Sequence, residues 1–499
     1  MRQFLLSSAI AALLTACGSF PVTERFLPTP TEVEPNIPVT NTIDWTGLAG
    51  DALPQTDWTQ EFEDVTLTAL IDEALEKNTD IRIASARYDR ALAQFKRARS
   101  DRFPSISANS RSARSEPFGG GGSINIPGGG VIPVGGGTTN LNAGVDLTWE
   151  ADVWGRVRDA SKSSEYNASA VAADYAAMRL LIASRVTQAW FDIVEAGLLV
   201  ELSARDVQTL DRALRLTERR FDGGVASASD VRLARSAVSN AQALEASRKQ
   251  NQASLIRGLE ILLRRYPEGA LALTQDLPAL PPLAGAASPG YILTRRPDVL
   301  AAERRMHAAG LDVDVARKNL LPRITITSGL DSSGTQINEI LDIQNIISNF
   351  AGGLTYPIFQ KGALRADVAA QKALLEEQME NYTDTLLDAY LEVENALSAE
   401  QHLEQREAAL RDALTESSFA EERLEARYIE GLATILELLD AQSRRISAEA
   451  MLISARKDRL TNRVALHVAL GGGRFGEEMI RDVDDVVPRW KLDILSRNE

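Results

Sequence analysis

A single thiol, Cys17, closes a short apolar run that begins at Phe4 and ends Leu14-Thr15-Ala16. With no second cysteine in the chain an internal disulfide is excluded, and lipid attachment is the chemistry this placement favours. The three histidines, His307, His402 and His467, lie far apart with no metal-ligand spacing, each inside a helical pattern. No Gly-x-Ser-x-Gly and no Walker sequence occurs. Residues 119–137 hold ten glycines in nineteen positions, yet no Lys-Ser or Lys-Thr follows to bind phosphate, so the segment reads as a flexible loop joining two strands. Carboxylates are abundant, but on long amphipathic helices a solvated face is their default. Leu436 and Asp440, just after the second hairpin end, are one turn apart and share a helix face, a spacing that a solvated face also gives. The neighbouring Glu437 is turned about 100° away. Catalysis has little support and an enzyme reading is weak; no resident metal or cofactor is expected, and the covalent lipid on Cys17 is the one added group.

The elements around these residues begin with a leader. Arg2 and the apolar run form a secretory signal too short to span a bilayer. Leu14-Thr15-Ala16-Cys17 has the form of a bacterial lipobox, in which the cysteine becomes the acylated N-terminus. Gly18 follows it where a retention signal would place Asp, so the expected destination is the outer membrane, with one anchor and no span. The chain has 499 residues, 44% hydrophobic but only 6% aromatic, the composition of long packed helices. Its net charge of −15 argues against nucleic acid as a partner.

The chain is duplicated. Asn78–Ser110 aligns with Arg296–Ser328 at a shift of 218 without gaps, pairing Asp80 with Asp298, Arg87 with Arg305 and Pro104 with Pro322. From Leu147-Thr148-Trp149 and Leu354-Thr355-Tyr356 onward the shift is 207, pairing Gly155 with Gly362 and Arg220-Phe221 with Arg427-Tyr428. It continues through Gly224-Val225-Ala226-Ser227 onto Gly431-Leu432-Ala433-Thr434. Each copy reads helix, strand, strand, helix, helix.

Proline is absent from 134 to 266 and from 358 to 487, which permits helices over 159–222 and 363–429 of roughly 95 and about 100 Å. Helices that long need neighbours along their whole length. Ala143, Val145, Leu147 and Trp149 alternate with polar or small residues. So do Phe350, Leu354 and Tyr356, and so do Ile324, Ile326 and Leu330. Such period-two segments fit a membrane barrel, and locally they fit a soluble half-buried sheet as well. Four strands cannot close alone; several chains can close them together. The expected layout is a signal peptide over 1–16 and a lipidated tether over 17–60. A first repeat over 61–267 has strands near 104–115 and 138–149 and a helical hairpin over 159–265. After a linker at 268–290, a second repeat over 291–473 has strands near 322–332 and 350–359 and a hairpin over 363–470. A charged tail occupies 474–499.

Thr294-Arg295-Arg296-Pro297-Asp298 with Ala302-Glu303-Arg304-Arg305, then Val153-Trp154-Gly155-Arg156-Val157-Arg158, Leu439-Asp440-Ala441-Gln442 and Ala469-Leu470-Gly471-Gly472-Gly473 resemble motifs of the TolC superfamily, and more narrowly its NodT-like outer-membrane lipoproteins. The resemblance runs from about residue 58 to 473. It implies a mainly α fold with a small β part: a homotrimer with twelve strands, four per chain, in an outer-membrane β-barrel and twelve helices in a hollow periplasmic α-barrel. It implies a passive exit duct, lipid-anchored in the outer membrane and extending into the periplasm. Its partners would be a periplasmic adaptor (membrane fusion protein) and an inner-membrane pump of the resistance-nodulation-division type. The hairpin ends Gly224-Val225-Ala226-Ser227 and Gly431-Leu432-Ala433-Thr434 would be the adaptor-docking tips, and Leu436 and Asp440 would line a closed periplasmic gate as an apolar ring and a carboxylate ring. A periplasmic coiled-coil scaffold or adaptor without a pore, and a type I secretion duct, are the competing readings. An adaptor would carry a lipoyl-like β-rich segment within one hairpin; this chain has two equal copies instead.

Overall fold

The computed structural model describes residues 58–116, 122–125, 127, 131–134, 137–271, 276–282 and 295–472. The leader, Cys17, most of the tether, much of the inter-repeat linker and the charged tail lie outside these residues. A short 3₁₀ turn at Trp58–Phe62 leads into α1 (Val65–Lys77) and α2 (Thr79–Ser100). Then come β1 (Ser105–Ser115), β2 (Gly122–Asn125), β3 (Val131–Val134) and β4 (Thr138–Ala151). The helices α3 (Arg156–Asp222) and α4 (Ala228–Leu262) complete the first copy. The second comprises α5 (Pro297–Lys318), β5 (Arg323–Gly334), the one-turn α6 (Ile337–Ile340), β6 (Ile346–Thr355), α7 (Ala363–Ile429) and α8 (Ile435–Ala469). No helix among the described residues is long and apolar enough to cross a membrane.

Three details depart from the sequence expectation. The glycine-rich segment, read as a flexible loop, contains an antiparallel hairpin in which β2 pairs with β3 through Ile124 and Ile132; β-branched residues between the glycines supply the strand preference. The last strand, expected near 350–359, runs Ile346–Thr355 instead. Its start was hidden because Ile346-Ile347-Ser348-Asn349 does not alternate, and it ends before Pro357, which has no N–H for a ladder. The first copy also opens with two helices, not one, because Asn78 interrupts: its Oδ1 accepts from the backbone of Asp80 and Ile81.

The described chain forms two compact units, each drawing on both copies. One contains Arg90–Ala168 and Arg304–Glu380. At its centre is an antiparallel sheet in the order β1-β4-β5-β6. The register aligns side chains by face. Ile106, Leu147, Ser328 and Phe350 stand in one row, Ala108, Val145, Leu330 and Ser348 in the next, and Trp149, Ile326 and Gly352 in another. The opposite face carries Asn109, Asp146, Asp331, Asn349, Thr148 and Thr327. The apolar face is not covered: Phe350 is 78% and Leu354 69% exposed. On the polar face Asn109 donates to Asp146 and Asn349 to Asp331. Each aspartate lies opposite a glycine of the neighbouring strand, Asp331 beside Gly144 and Asp146 beside Gly329, and a Cβ at either glycine would collide with a carboxylate.

The turn from β4 into α3 explains Val153-Trp154-Gly155-Arg156-Val157-Arg158. Trp154 Nε1 donates to the Pro322 carbonyl at 2.7 Å, Gly155 adopts φ +75°, and Asp152 accepts from the backbone of Val157 and Arg158 at 3.0 and 2.8 Å. Arg156 pairs with Glu150 through two bonds of 3.0 and 2.8 Å. In the second copy Gly362 repeats the turn at φ +85°.

The other unit contains, among the described residues, 58–89, those between 169 and 303, and 381–472. Its core gathers Trp58, Phe62, Leu67, Ile71, Ile182, Trp190, Phe191, Leu259 and Val464. Asp64 caps α1 through the backbone of Thr66 and Leu67 and also accepts from Trp190 Nε1 at 2.8 Å. Three helices meet at Arg445 of α8, which bonds Asp206 of α3 at 3.2 Å, Glu421 of α7, and Glu449 of its own helix at 2.6 Å. All four side chains are mostly buried. Surrounding carboxylates hold the guanidinium charged, raising its pKa against burial. Asp206 fares worst among them: its Oδ2 has no partner and burial lifts its pKa above the usual 3.8.

Arg445→Ala leaves buried carboxylates without their cation and should lower unfolding stability at pH 7 by about 3 kcal/mol. Removing the guanidinium raises the Asp206 pKa further, so the folded variant binds a proton the unfolded chain holds less tightly, and its deficit should shrink as pH falls toward about 5. Denaturant midpoints at the two pH values check both parts; a variant with unchanged stability would show that this arginine clamps nothing.

Candidate functional site

The two helical hairpin ends and the start of α8 carry the residues singled out in the sequence. In the first hairpin, Gly224 takes φ +74°, which lets Val225 and Ala226 donate back to the Arg220 carbonyl at 2.8 and 3.1 Å. Ser227 then starts α4: its Oγ accepts from Asp230 N at 3.2 Å and Asp230 Oδ2 accepts from Ser227 N at 2.8 Å. The second hairpin repeats this. Gly431 takes φ +81°, Leu432 donates to the Arg427 carbonyl at 2.8 Å, and Thr434 and Glu437 exchange the reciprocal bonds at 3.3 and 2.7 Å. At the outer end of each turn one aliphatic side chain faces water, Val225 at 69% and Leu432 at 65% exposure, whereas Ala433 is buried.

Glu437, set aside in the sequence for facing away from Leu436 and Asp440, is the residue that closes the second capping box. The Thr434 backbone N–H holds its carboxyl below the usual 4.5, with smaller help from the Thr434 hydroxyl and Arg427. The cap is therefore in force above that value and fades as pH falls through the lowered one.

Leu436 and Asp440 lie together on the first turns of α8. Leu436 is 64% exposed although large and aliphatic, and Asp440 is also exposed. Asp440 Oδ2 accepts from Arg444 Nε at 2.8 Å, a contact one helical turn long that the sequence reading did not include. Both partners are solvated, so the pair adds little stability. What it changes is the local charge: a cation stands beside each carboxylate.

Sequence reasoning also missed a tie between the two hairpins. Tyr428, buried near the end of α7, shares a hydrogen bond of 2.8 Å with Thr217 of α3, and the Arg220 guanidinium stands 4.6 Å from its ring centroid. Arg220 also donates to the Tyr428 carbonyl. The repeat alignment held the signal, since Arg220 matches Arg427 while Tyr428 replaces Phe221. Arg427 closes its own turn by donating to the Leu432 carbonyl at 3.1 Å, whereas Arg220 reaches across to the other hairpin. Below the tie, Leu210, Leu214, Ala234, Val238, Ile435 and Leu438 pack as an apolar cluster joining α3, α4 and α8.

Comparison with known proteins fits this geometry. The family described as outer membrane efflux protein matches residues 70–263 and 289–472. The cation efflux system protein CusC of Escherichia coli K12 is 25% identical over 476 residues, covering 94% of this chain and 99% of its own. The toluene efflux pump outer membrane protein TtgC of Pseudomonas putida is 30% identical over 489 residues, covering 95% and 96%. The solved structure of the outer-membrane channel OprN superimposes with a TM-score of 0.79 at 26% identity, covering 90% of this chain and 99% of that one. Two long-helix hairpins, a four-stranded sheet and a sequence match over both copies lead to one conclusion: the chain belongs to the outer membrane efflux protein family.

Proposed function

We propose that three copies of this chain join their sheets into a twelve-stranded barrel and act as the passive exit duct of a tripartite efflux system. The observation that carries the reading is the sheet: β1 and β6 are edge strands among the described residues, and its aligned apolar face is open. A bilayer tolerates no open strand edge, so the edges must pair with further copies. Two copies would give eight strands, whose interior side chains fill; twelve is the smallest multiple of four that leaves a water-filled bore for the polar face. Cys17 would add a lipid anchor at the same membrane.

The relatives' names span cation efflux for CusC and toluene efflux for TtgC. One duct architecture therefore serves cargoes of opposite chemistry, which supports selection of cargo by the pump, here inferred to be of the resistance-nodulation-division type. Val225 and Leu432 at the hairpin ends offer an adaptor small apolar footholds on turns already fixed by their caps. Around a threefold axis Leu436 would form an apolar ring and Asp440 a carboxylate ring, with Arg444 offsetting the latter's charge.

Purified, membrane-extracted protein should be a trimer that conducts in planar bilayers; a monomeric, electrically silent preparation would end this account. Leu436→Gly with Asp440→Ala should enlarge single-channel conductance, and an unchanged value would remove the gate assignment. Arg444→Ala should raise the cation-to-anion permeability ratio, because it leaves three carboxylates without counter-charge. Val225→Asp with Leu432→Asp should abolish efflux in cells while leaving the conducting trimer intact; retained efflux would dissociate the tips from adaptor docking.

A further inference from the structure

The loop between β5 and β6 has its own architecture. Thr335 N, Gln336 N and the Thr335 hydroxyl all donate to Glu339 Oε2, at 2.6, 3.2 and 3.2 Å. Asn345 Nδ2 donates to the Glu339 carbonyl at 2.8 Å, and Gln344 N to Asp342 Oδ1 at 3.0 Å. These polar groups thus find partners within the loop. Its large aliphatic side chains do the reverse: Ile337 is 72%, Leu341 79% and Ile343 81% exposed. A soluble loop shows the opposite arrangement.

The loop also sits on a defined face. A Cβ at Gly334 would stand 2.6 Å from Glu339 Cβ, so α6 folds over the face to which Gly334 belongs. Gly334 pairs with Leu141, and Ser332, buried beneath the loop, pairs with Ala143. These are the rows that continue into Val145, Leu147 and Leu330, the apolar face of the sheet. On β5 that face is short. From Ile324 to Leu330 it rises only about 14 Å at a strand tilt near 45°, and Ser332 and Gly334 follow. A barrel's apolar band is about 25 Å tall. Glu339 of the loop stands over Gly334, and the loop's exposed aliphatic side chains would extend the band where the strand's own residues stop.

Resting on the barrel reading above, we propose that Ile337, Leu341 and Ile343 form a foot that dips into the acyl region of the outer leaflet. A second copy of the chain is the weaker occupant, because α6 contacts β4 and β5, the two central strands, and copies join at β1 and β6.

The test places a fluorophore on Leu341→Cys, Ile343→Cys, Leu354→Cys or Thr327→Cys in the full-length protein, reconstituted in phospholipid vesicles. The parent protein, treated alike, gives the background from any Cys17 that escapes acylation. Lipids bearing a nitroxide on the acyl chain should quench the loop labels to within about twofold of the Leu354 label. Iodide should reach only the label at Thr327, on the polar face. Iodide quenching of the loop labels with Leu354 still quenched by lipid overturns the foot and leaves the barrel standing. Iodide quenching of Leu354 as well overturns the barrel reading itself. Disulfide-linked dimers of Leu341→Cys would place a second copy over the loop and also overturn the proposal.

Discussion

The structure depends on the fate of two strand edges. Alternate residues of β1 and β6 carry backbone N–H and C=O groups on a side that is unpaired among the described residues. In water such an edge is solvated and remains a template for another strand; in hydrocarbon it is prohibited, so within a membrane the sheet must pair with other copies of itself. The helices follow from the same demand. Arg156 and Trp154 tie the exit of β4 to Glu150 and the Pro322 carbonyl, which fixes the turn that opens α3.

Much of this was legible beforehand because duplication gives two independent looks at each element. The long helices were marked by missing prolines, the hairpin ends by paired glycines, and three of the four main strands by alternation. β6 was misplaced because Ile346-Ile347-Ser348-Asn349 breaks period two at its outer end, where pairing with β5 still holds Ser348 opposite Leu330. The β2–β3 hairpin was hidden by the glycines around it. The contacts that sequence could not show are those between distant helices: Arg445 with Asp206 and Glu421, and Tyr428 with Thr217. Charged and aromatic residues on long helices are common, and only the fold tells which of them face one another. Arg444 is different. Four residues from Asp440, it was readable from helix spacing alone.

The hairpin turns and the helix interior are stabilised by different means. Each turn is specified within about ten residues, by a left-handed glycine and a reciprocal cap, and needs no tertiary support for its shape. Farther along, α3, α7 and α8 are held by buried charges, with one guanidinium serving several carboxylates and Asp206 left partly unsatisfied. Apolar packing would be stronger at that point, but an ionic clamp can be exchanged for water when helices move apart.

The glycines facing Asp146 and Asp331 have a consequence for passage. With no side chain at Gly329 or Gly144, each carboxylate lies flat along the wall, where Asn109 and Asn349 meet it. Negative charge is thereby set into the lining without narrowing it, so a wide solute meets the field of the wall before it meets any obstruction. At both positions the neighbouring carboxylate occupies the space that a glycine leaves open.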